Sequence, residues 1–247
     1  MSPNFKYLRN EFKDKGYCII KNMLNKEEAN QIINEILLAK NTISYLNKNN
    51  KTIRIEKFYD KGPALIDFNL KITDTFFSLF KKKFLIFKDK LNIKSSNTEG
   101  YDAHYDGIFH FYDENNNKKR GWYEYGDLFI NALLSLDPCD EENGTIEIAK
   151  CHHGSFDEIL KNTKNDGTPF LKKEIEKKIS FKTIDLDIGD VVLFSNKCPH
   201  RSNKNNTDRN RRILYYTYSL AKNGSKYNDY YEDKKKSKNL HKALVDK

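Results

Sequence analysis

The chain has 247 residues, of which 38% are hydrophobic and 13% aromatic, and its formal net charge is +9. This length and this supply of large rings suit one folded domain and exclude a disordered chain, which could not form such a core. The positive charge would suit an anionic ligand, but lysine is scattered along the chain and mainly indicates a solvated surface.

The first third of the chain is predicted to be helical with short strands between the helices. Gly16 is placed to end the first helix, and Asn25 followed by acidic residues is typical of the start of the second. Phenylalanines three or four positions apart predict a third, amphipathic helix. In chain order we predict a helix over 5–16, a strand over 16–24, a helix over 25–39, a loop over 40–51, a strand over 51–59 and a helix over 71–91.

From about residue 93 the pattern changes to short strands separated by turns, which is typical of an antiparallel sandwich or barrel. The strands are predicted near 104–112, 127–136, 144–150, 181–187, 190–195 and 211–220. We therefore predict a mainly β fold with N-terminal helices, in one domain over 1–247. Its parts are a helical and mixed region over about 1–92, a jelly-roll core over about 93–221 and a charged C-terminal tail that frays.

The cysteines and the distribution of apolar residues indicate the cellular compartment of the protein. The four cysteines include no Cys-x-x-Cys pair, which argues against a structural zinc site. The first residues are charged and lack the apolar core of a signal peptide, and no apolar run approaches the roughly 20 residues that span a bilayer. The sequence predicts a cytoplasmic protein with reduced thiols and without a membrane partner.

Two histidines and one aspartate have the arrangement of a metal site. His104 and Asp106 lie two residues apart in a predicted strand, so their side chains are expected on one face. His200 follows the apolar segment VVLFSN, on a strand that a jelly roll can bring close to the first two. Two histidines and a carboxylate are the ligand set of non-haem iron(II) oxygenases, which leaves positions open for a 2-oxo acid and dioxygen.

An arginine with a planar fork suits the far carboxylate of 2-oxoglutarate, because its guanidinium pairs with a carboxylate through two hydrogen bonds. Arg211 lies eleven residues after His200 and is our first choice, with Arg212 as the alternative if the strand register is shifted by one. Ser202 could add a hydroxyl to the same carboxylate.

These residues resemble the phytanoyl-CoA dioxygenase-like family of Fe(II)/2-oxoglutarate-dependent oxygenases. The matching segments are FKDKGYCIIKNMLNKEEANQIINEI, HYD, INALLSLDPCDEENGTIEIA, IGDVVLF and HRSNKNNTDRNRR. The resemblance implies a double-stranded β-helix (jelly roll), iron(II) on the catalytic residues His104, Asp106 and His200, and 2-oxoglutarate on Arg211 and Ser202. With dioxygen as second co-substrate, and with a carboxylate in place at Asp106, hydroxylation is favoured over halogenation.

The chain departs from the family pattern at two places near the pocket mouth. Lys150-Cys151-His152-His153 stands where Pro-Gly-Ser-His is usual, and Arg201 stands where a small residue is usual. These departures concern the shape of the loops around the site. They leave the three predicted iron ligands in place.

The substrate is predicted to be a small molecule. The segment RILYYTYSLAKNGSKYNDYYEDKKKSK is similar to a 2-aminoethylphosphonate dioxygenase-like subgroup, which implies an organophosphonate. Basic side chains would suit such an anion, but Arg54 and Lys57 lie three residues apart in a predicted strand and do not share a face. The sequence assigns neither of them and does not predict the oligomeric state.

Other interpretations of the same residues remain open. The Cys151–His153 segment could form a metal cluster with Cys198, and His110 could share the face of His104, although a packed histidine is more usual. A jelly-roll binding protein without chemistry is one alternative to an enzyme. A basic nucleic-acid-associated protein is another, with YNDYYEDKKKSK as its one candidate contact; we expect no nucleic-acid partner, because acidic residues interrupt that segment.

Overall fold

The computed structural model of the chain describes residues 3–237. Helices dominate the first 80 residues of this range, and strands dominate from residue 84 to residue 220. The α-helices are α1 (Phe5–Lys15), α2 (Lys26–Leu38), α3 (Pro63–Phe80), α4 (Phe156–Leu160), α5 (Lys173–Glu176) and α6 (Tyr227–Lys236). The strands are β1 (Tyr17–Ile20), β2 (Ile43–Leu46), β3 (Thr52–Glu56), β4 (Phe84–Lys94), β5 (Tyr101–His104), β6 (Phe111–Tyr112), β7 (Lys118–Lys119), β8 (Phe129–Ser135), β9 (Ile146–Ile148), β10 (Lys182–Thr183), β11 (Val191–Ser195), β12 (His200–Ser202) and β13 (Arg211–Leu220).

Most of these strands belong to two antiparallel sheets that enclose an apolar layer. The larger sheet has the order β1-β11-β8-β13-β4-β3-β2, and the smaller has the order β10-β9-β12-β5. Buried side chains from β1, β8, β11 and β13 meet those of β9 in one continuous cluster. Neighbouring strands are distant in sequence, as in a jelly roll, and the predicted fold class is confirmed.

The three N-terminal helices pack on the other face of the larger sheet, in a second apolar cluster. Their ends follow the predicted signals. Gly16 ends α1 in the left-handed conformation with φ 80°, which glycine adopts without strain. Asn25 caps α2, and Glu28 completes the reciprocal capping box. Among the helices of residues 3–237, none combines the length and the apolar character that a membrane span requires.

The predicted helix over 71–91 is wrong at both ends. α3 begins at Pro63, whose fixed φ suits the first turn of a helix, and it ends where Lys81 turns left-handed with φ 54°. The following phenylalanines belong to β4. They misled the prediction because the other face of β4 is polar: Lys88, Lys90, Asn92 and Lys94 alternate along it and are directed away from solvent.

The predicted loop over 40–51 is wrong in its middle, where residues 43–46 form β2. This strand lies at the edge of the larger sheet and pairs with β3, so that Ile43 lies opposite Glu56. Its residues are half-buried or exposed. An edge strand with little burial lacks the apolar signal on which strand prediction depends.

The charged tail that was expected to fray is a packed helix as far as the structure describes it. Tyr227, Tyr230, Tyr231 and Lys234 of α6 are buried. The hydroxyls of Tyr227 and Tyr231 donate to the carboxylate of Asp89 on β4, which also accepts three backbone N–H groups from residues 57–59. α6 is therefore fixed to the strand with the polar inner face. His241, which the charged composition of the tail predicts to be solvated, lies outside the described residues.

Candidate active site

The two sheets bring the three predicted metal ligands to one point. His104 ends β5 and His200 begins β12, and the two residues lie opposite each other in the ladder between these strands. Asp106 lies between them, with Oδ1 4.0 Å from His104 Nε2 and Oδ2 3.7 Å from His200 Nε2. One donor atom from each residue lies within 4.8 Å of the other two, and all three residues are buried. This is the spacing that a single metal ion requires.

Asp106 reaches this point from a turn, so the prediction of one strand over 104–112 is wrong. β5 stops at His104, and Asp106 is held by Asn196, which accepts from its backbone N–H and donates through Nδ2 to its carbonyl at 3.0 Å. Gly107 follows with φ 73° and lies against Trp122, so closely that a Cβ atom there would come within 2.4 Å of the indole. The turn, rather than strand alternation, aims the carboxylate.

Both histidines are fixed in the tautomer that a metal needs. Nδ1 of His104 lies 2.7 Å from the carbonyl oxygen of Asp102, and Nδ1 of His200 lies 3.1 Å from that of Cys198. A carbonyl only accepts, so each Nδ1 must donate its hydrogen, and each Nε2 is left with a lone pair directed at Asp106.

Electrostatics favour neutral imidazoles beside an ionised carboxylate. Burial and the neighbouring His200 lower the pKa of His104 to about 3, and burial likewise lowers the pKa of His200. Burial alone would raise the pKa of Asp106, but His200, Lys90 and His104 outweigh it and lower that pKa to about 2. The site therefore stays in its metal-binding protonation state at neutral pH.

A chain of hydrogen bonds from the larger sheet orients the carboxylate. Asn131 on β8 donates from Nδ2 to Asp106 Oδ2 at 2.8 Å. Its own Oδ1 accepts from the Thr217 hydroxyl on β13 at 2.7 Å. Both residues are buried, so the amide cannot rotate without losing both bonds. Sequence reasoning missed this pair, because neither residue belongs to a recognisable motif.

We expect Asn131→Ala to weaken Fe(II) binding about 10- to 100-fold, the usual effect of removing a hydrogen bond from a metal-binding carboxylate. The dissociation constant would be measured by anaerobic titration of the metal-free protein. Thr217→Val removes only the hydrogen bond from the Thr217 hydroxyl to Asn131. It serves as a comparison and should weaken Fe(II) binding less. Unchanged Fe(II) affinity in Asn131→Ala, with the apoprotein still folded, would mean that the amide does not position the carboxylate.

The structure distinguishes between the two candidate arginines. Arg211 is 3% exposed and lines the same pocket as His104 and His200. Its buried Nε has no hydrogen-bond partner among the described residues. Arg212 points away and forms an ion pair with Asp137 at 2.6 Å. An arginine that is buried without a counter-charge costs free energy unless a ligand provides one, so the pocket is suited to a carboxylate.

Ser202 lies in the same pocket and is ready to donate to an anion. Its Oγ accepts from Nζ of Lys94 at 2.9 Å and from the backbone N–H of Tyr101 at 3.3 Å. The hydroxyl hydrogen is then left for a ligand. Arg201, the unusual residue after His200, instead forms ion pairs with Glu147 and Glu176 at 2.8 Å.

Four further polar residues that the sequence left unassigned line this pocket. Arg54 from β3, Lys90 and Asn92 from β4, and Tyr101 from β5 surround the same space as the two histidines. The alternation of polar residues along β4 could have indicated that they share one face of a strand, but the segment was predicted to be a helix. Together with Arg211 they give the pocket a cationic wall.

The alternative metal cluster of the Cys151–His153 segment with Cys198 is not formed among the described residues, although the Cys151 and Cys198 thiols are hydrogen-bonded to each other. Within residues 3–237, His104, Asp106 and His200 are the one group of three or more histidine, cysteine or acidic side chains with metal-binding spacing. Cys151 and Cys198 do not extend into such a cluster. His110 packs edge-on against Phe156 with ring centroids 5.6 Å apart, which is the packed-histidine alternative.

Comparison with protein families gives a match over most of the chain. The family described as "Phytanoyl-CoA dioxygenase (PhyH)" matches residues 12–213. Among curated proteins, a 2-aminoethylphosphonate dioxygenase from an uncultured bacterium (HF130_AEPn_1) is 26% identical over 242 residues, which cover 92% of this chain and 86% of the relative. A methylphosphonate hydroxylase from Gimesia maris is 27% identical over 168 residues, which cover 68% of this chain and 57% of the relative.

Solved structures share the fold. The epimerase SnoN, in complex with Fe³⁺, alpha ketoglutarate and nogalamycin RO, superposes with a TM-score of 0.67 at 16% identity, covering 88% of this chain and 84% of its own. EctD from S. alaskensis, with 2-oxoglutarate and 5-hydroxyectoine, has a TM-score of 0.64 at 14% identity, covering 87% and 76%. At this level of identity the likeness establishes the architecture of the two sheets.

Proposed function

Since the chain belongs to the phytanoyl-CoA dioxygenase family, we propose that it is an Fe(II)- and 2-oxoglutarate-dependent dioxygenase that hydroxylates a C–H bond of an organophosphonate. One observation supports this most directly. A histidine, aspartate and histidine group with metal-binding spacing shares its pocket with Arg211, a buried arginine that forms no ion pair with any described residue.

We propose His104, Asp106 and His200 as the iron ligands and the catalytic centre. Two neutral imidazoles and one carboxylate match the facial ligand set of non-haem iron(II) and leave adjacent positions open. Iron(II) held by these three residues would supply the activation of dioxygen for attack on a C–H bond, coupled to the oxidation of 2-oxoglutarate to succinate and carbon dioxide. The protein's contribution is orientation: Asn131 and the Asp106 turn hold the carboxylate, and the two backbone carbonyls hold the rings.

We propose that Arg211 and Ser202 bind the far carboxylate of 2-oxoglutarate. The guanidinium is charged at any relevant pH and offers a planar fork to two oxygens. Ser202 adds a hydroxyl whose direction is set by the hydrogen bond from Lys94. Because the burial of this end of the pocket excludes water, the ion pair is strong, and the co-substrate is held with its 2-oxo end toward the iron ligands.

The proposed substrate class is based on the names of two curated relatives and on the positive charge of the pocket. The two curated relatives described above are named for 2-aminoethylphosphonate and methylphosphonate, which share the phosphonate group. The pocket around the proposed iron site contains Arg54 and Lys90 in addition to Arg211. We propose a small-molecule phosphonate as substrate, one oxygenase domain as the working unit, and the cytoplasm as its compartment.

The alternative of a basic nucleic-acid-associated protein is less well supported. Residues 227–236 of its candidate segment form α6, where Tyr227, Tyr230 and Tyr231 are buried and cannot stack on bases. The alternative of a binding protein without chemistry does not account for a histidine, aspartate and histidine group in which each histidine has a fixed tautomer.

We expect the purified protein, supplied with Fe(II), 2-oxoglutarate and oxygen, to form succinate in proportion to added 2-aminoethylphosphonate or methylphosphonate. The measurement is succinate and hydroxylated phosphonate by mass spectrometry, with ethanolamine as the matched compound without phosphorus. Succinate formation that no phosphonate stimulates would overturn the substrate class and leave the oxygenase chemistry intact.

A further inference from the structure

One lysine on the inner face of β4 differs from its neighbours in having no polar partner among the residues that the structure describes. Lys88 donates to Tyr230, and Lys94 donates to Ser202 and to two backbone carbonyls. Lys90 lies between them and makes no hydrogen bond or ion pair within the part of the chain that the structure describes. Its Nζ lies 4.4 Å from the centre of the Tyr215 ring, and its side chain lines the pocket of His104 and His200.

The location of Lys90 separates it from the arginine proposed for 2-oxoglutarate. In the ladder between β4 and β13, Lys90 lies opposite Tyr215, whereas Lys94 lies opposite Arg211. The two cations are thus four residues apart along neighbouring strands, about 13 Å of strand length at the usual rise per residue. Two cations at this spacing can bind two different anionic groups in one pocket.

The charges around the proposed iron site leave Lys90 unmatched. Fe(II) brings two positive charges and Arg211 one, while Asp106 brings one negative charge and 2-oxoglutarate two, so these groups balance one another. Glu56, a buried acid on the neighbouring strand β3, is already paired with Lys234 and lies 3.8 Å from Arg54. Lys90 is half-buried, and a cation held away from water without a counter-charge is unfavourable, so one more anion would stabilise the complete site.

Arg54 and Tyr101 form the adjoining wall and add donors on the same side. Arg54 is 2% exposed, its Nε donates to Asn92, and its Nη2 donates to the Tyr101 hydroxyl. Nη1 has no hydrogen-bond partner among the described residues. These bonds hold the guanidinium rigidly beside the space that Lys90 faces.

We propose that Lys90 binds the phosphonate group of the substrate, with Arg54 beside it, so that Lys90 selects substrate while Arg211 selects 2-oxoglutarate. This inference rests on the proposed function of the site. A compact ammonium on a flexible stem suits a tetrahedral oxyanion, which presents oxygens in several directions. Binding through the phosphonate would place the carbon next to phosphorus within the space above the two histidines.

The test is equilibrium binding, which does not depend on turnover. Methylphosphonate is titrated by calorimetry, without oxygen, into protein loaded with Fe(II) and 2-oxoglutarate. We expect Lys90→Met to raise its dissociation constant about 10- to 100-fold, as for the loss of one charge-assisted hydrogen bond. Lys90→Arg, which keeps the charge, should restore most of the affinity. Lys83→Met removes an exposed lysine just before β4 and should leave binding unchanged.

The visible absorption band of the iron and 2-oxoglutarate chelate, recorded on the same samples, separates the possible outcomes. An unchanged band with weakened methylphosphonate binding supports the assignment and shows that the variant is folded. A weakened band with Lys90→Met would assign Lys90 to 2-oxoglutarate and overturn the proposal. Equal methylphosphonate affinity in Lys90→Met and the unaltered protein would also overturn it while leaving the proposed function standing. Absence of methylphosphonate binding to the unaltered protein would overturn both the substrate class and the role of Lys90.

Discussion

His104→Ala is expected to abolish both iron binding and turnover. The imidazole provides one of three protein donors to the metal, and its place at the end of β5 leaves no neighbouring side chain that could replace it. Without His104 the pocket retains one histidine and one carboxylate, too few ligands to hold Fe(II) against water. The anaerobic visible band that 2-oxoglutarate gives on chelating iron should disappear, and metal analysis should find no bound iron.

His153→Ala is the matched control, since it removes an exposed histidine that lies outside the metal-binding group. It should keep the band at full intensity. Wild-type iron content in His104→Ala would show that the metal is held elsewhere and would remove the basis of the proposed mechanism. Circular dichroism of the two apoproteins would confirm that neither substitution disturbs the sheets.

Arg211→Ala is expected to raise the dissociation constant of 2-oxoglutarate about 100- to 1,000-fold, which corresponds to about 3–4 kcal/mol for two charge-assisted hydrogen bonds in a buried site. In the protein without 2-oxoglutarate, replacing Arg211 breaks no ion pair within residues 3–237, and its Nε has no hydrogen-bond partner there. The substitution should therefore act on the co-substrate rather than on folding. Titration of the visible band with 2-oxoglutarate at saturating Fe(II) measures the effect.

The adjacent arginine provides the control. Arg212→Ala breaks an ion pair with Asp137 at a partly exposed position and should change 2-oxoglutarate affinity by less than about threefold, as expected for a surface charge far from the ligand. Arg211→Lys should be intermediate, because a lysine keeps the charge and loses the planar fork. The assignment of the carboxylate site fails if Arg212→Ala has the larger effect.

The sequence predicted the chemistry of the site better than its geometry. His104, Asp106 and His200 are close together as expected, although their role as iron ligands stays a prediction. The reason given for the first two was partly wrong: only His104 lies in a strand, and Asp106 is aimed by the turn at Gly107. The spacing of residues along the chain identifies the candidate ligands. It does not predict the turn at Gly107, with φ 73°, because that turn depends on the side chains that pack against it.

β4 and α6 were missed for one physical cause, which is polar side chains that are buried or half-buried, whereas β2 was missed because it is an edge strand with little burial. β4 directs lysines and an asparagine inward, and α6 buries tyrosines and Lys234. Sequence patterns treat polar residues as exposed, so β4 was assigned to a helix and α6 to a fraying tail. Arg54 and Lys90 went unassigned because the residues around them come from strands that only the folded sheets bring together.

The order of strands in the larger sheet also has a kinetic consequence. β1 pairs with β11, so that Tyr17 lies opposite Phe194, and β4 pairs with β13. Long loops must close, at a cost in chain entropy, before such pairs form. β-rich chains of this kind have folding times on the order of milliseconds to seconds. His104 and His200 meet only when β5 pairs with β12. Metal therefore cannot nucleate folding, and its contribution to stability comes afterwards, by mass action on the native state.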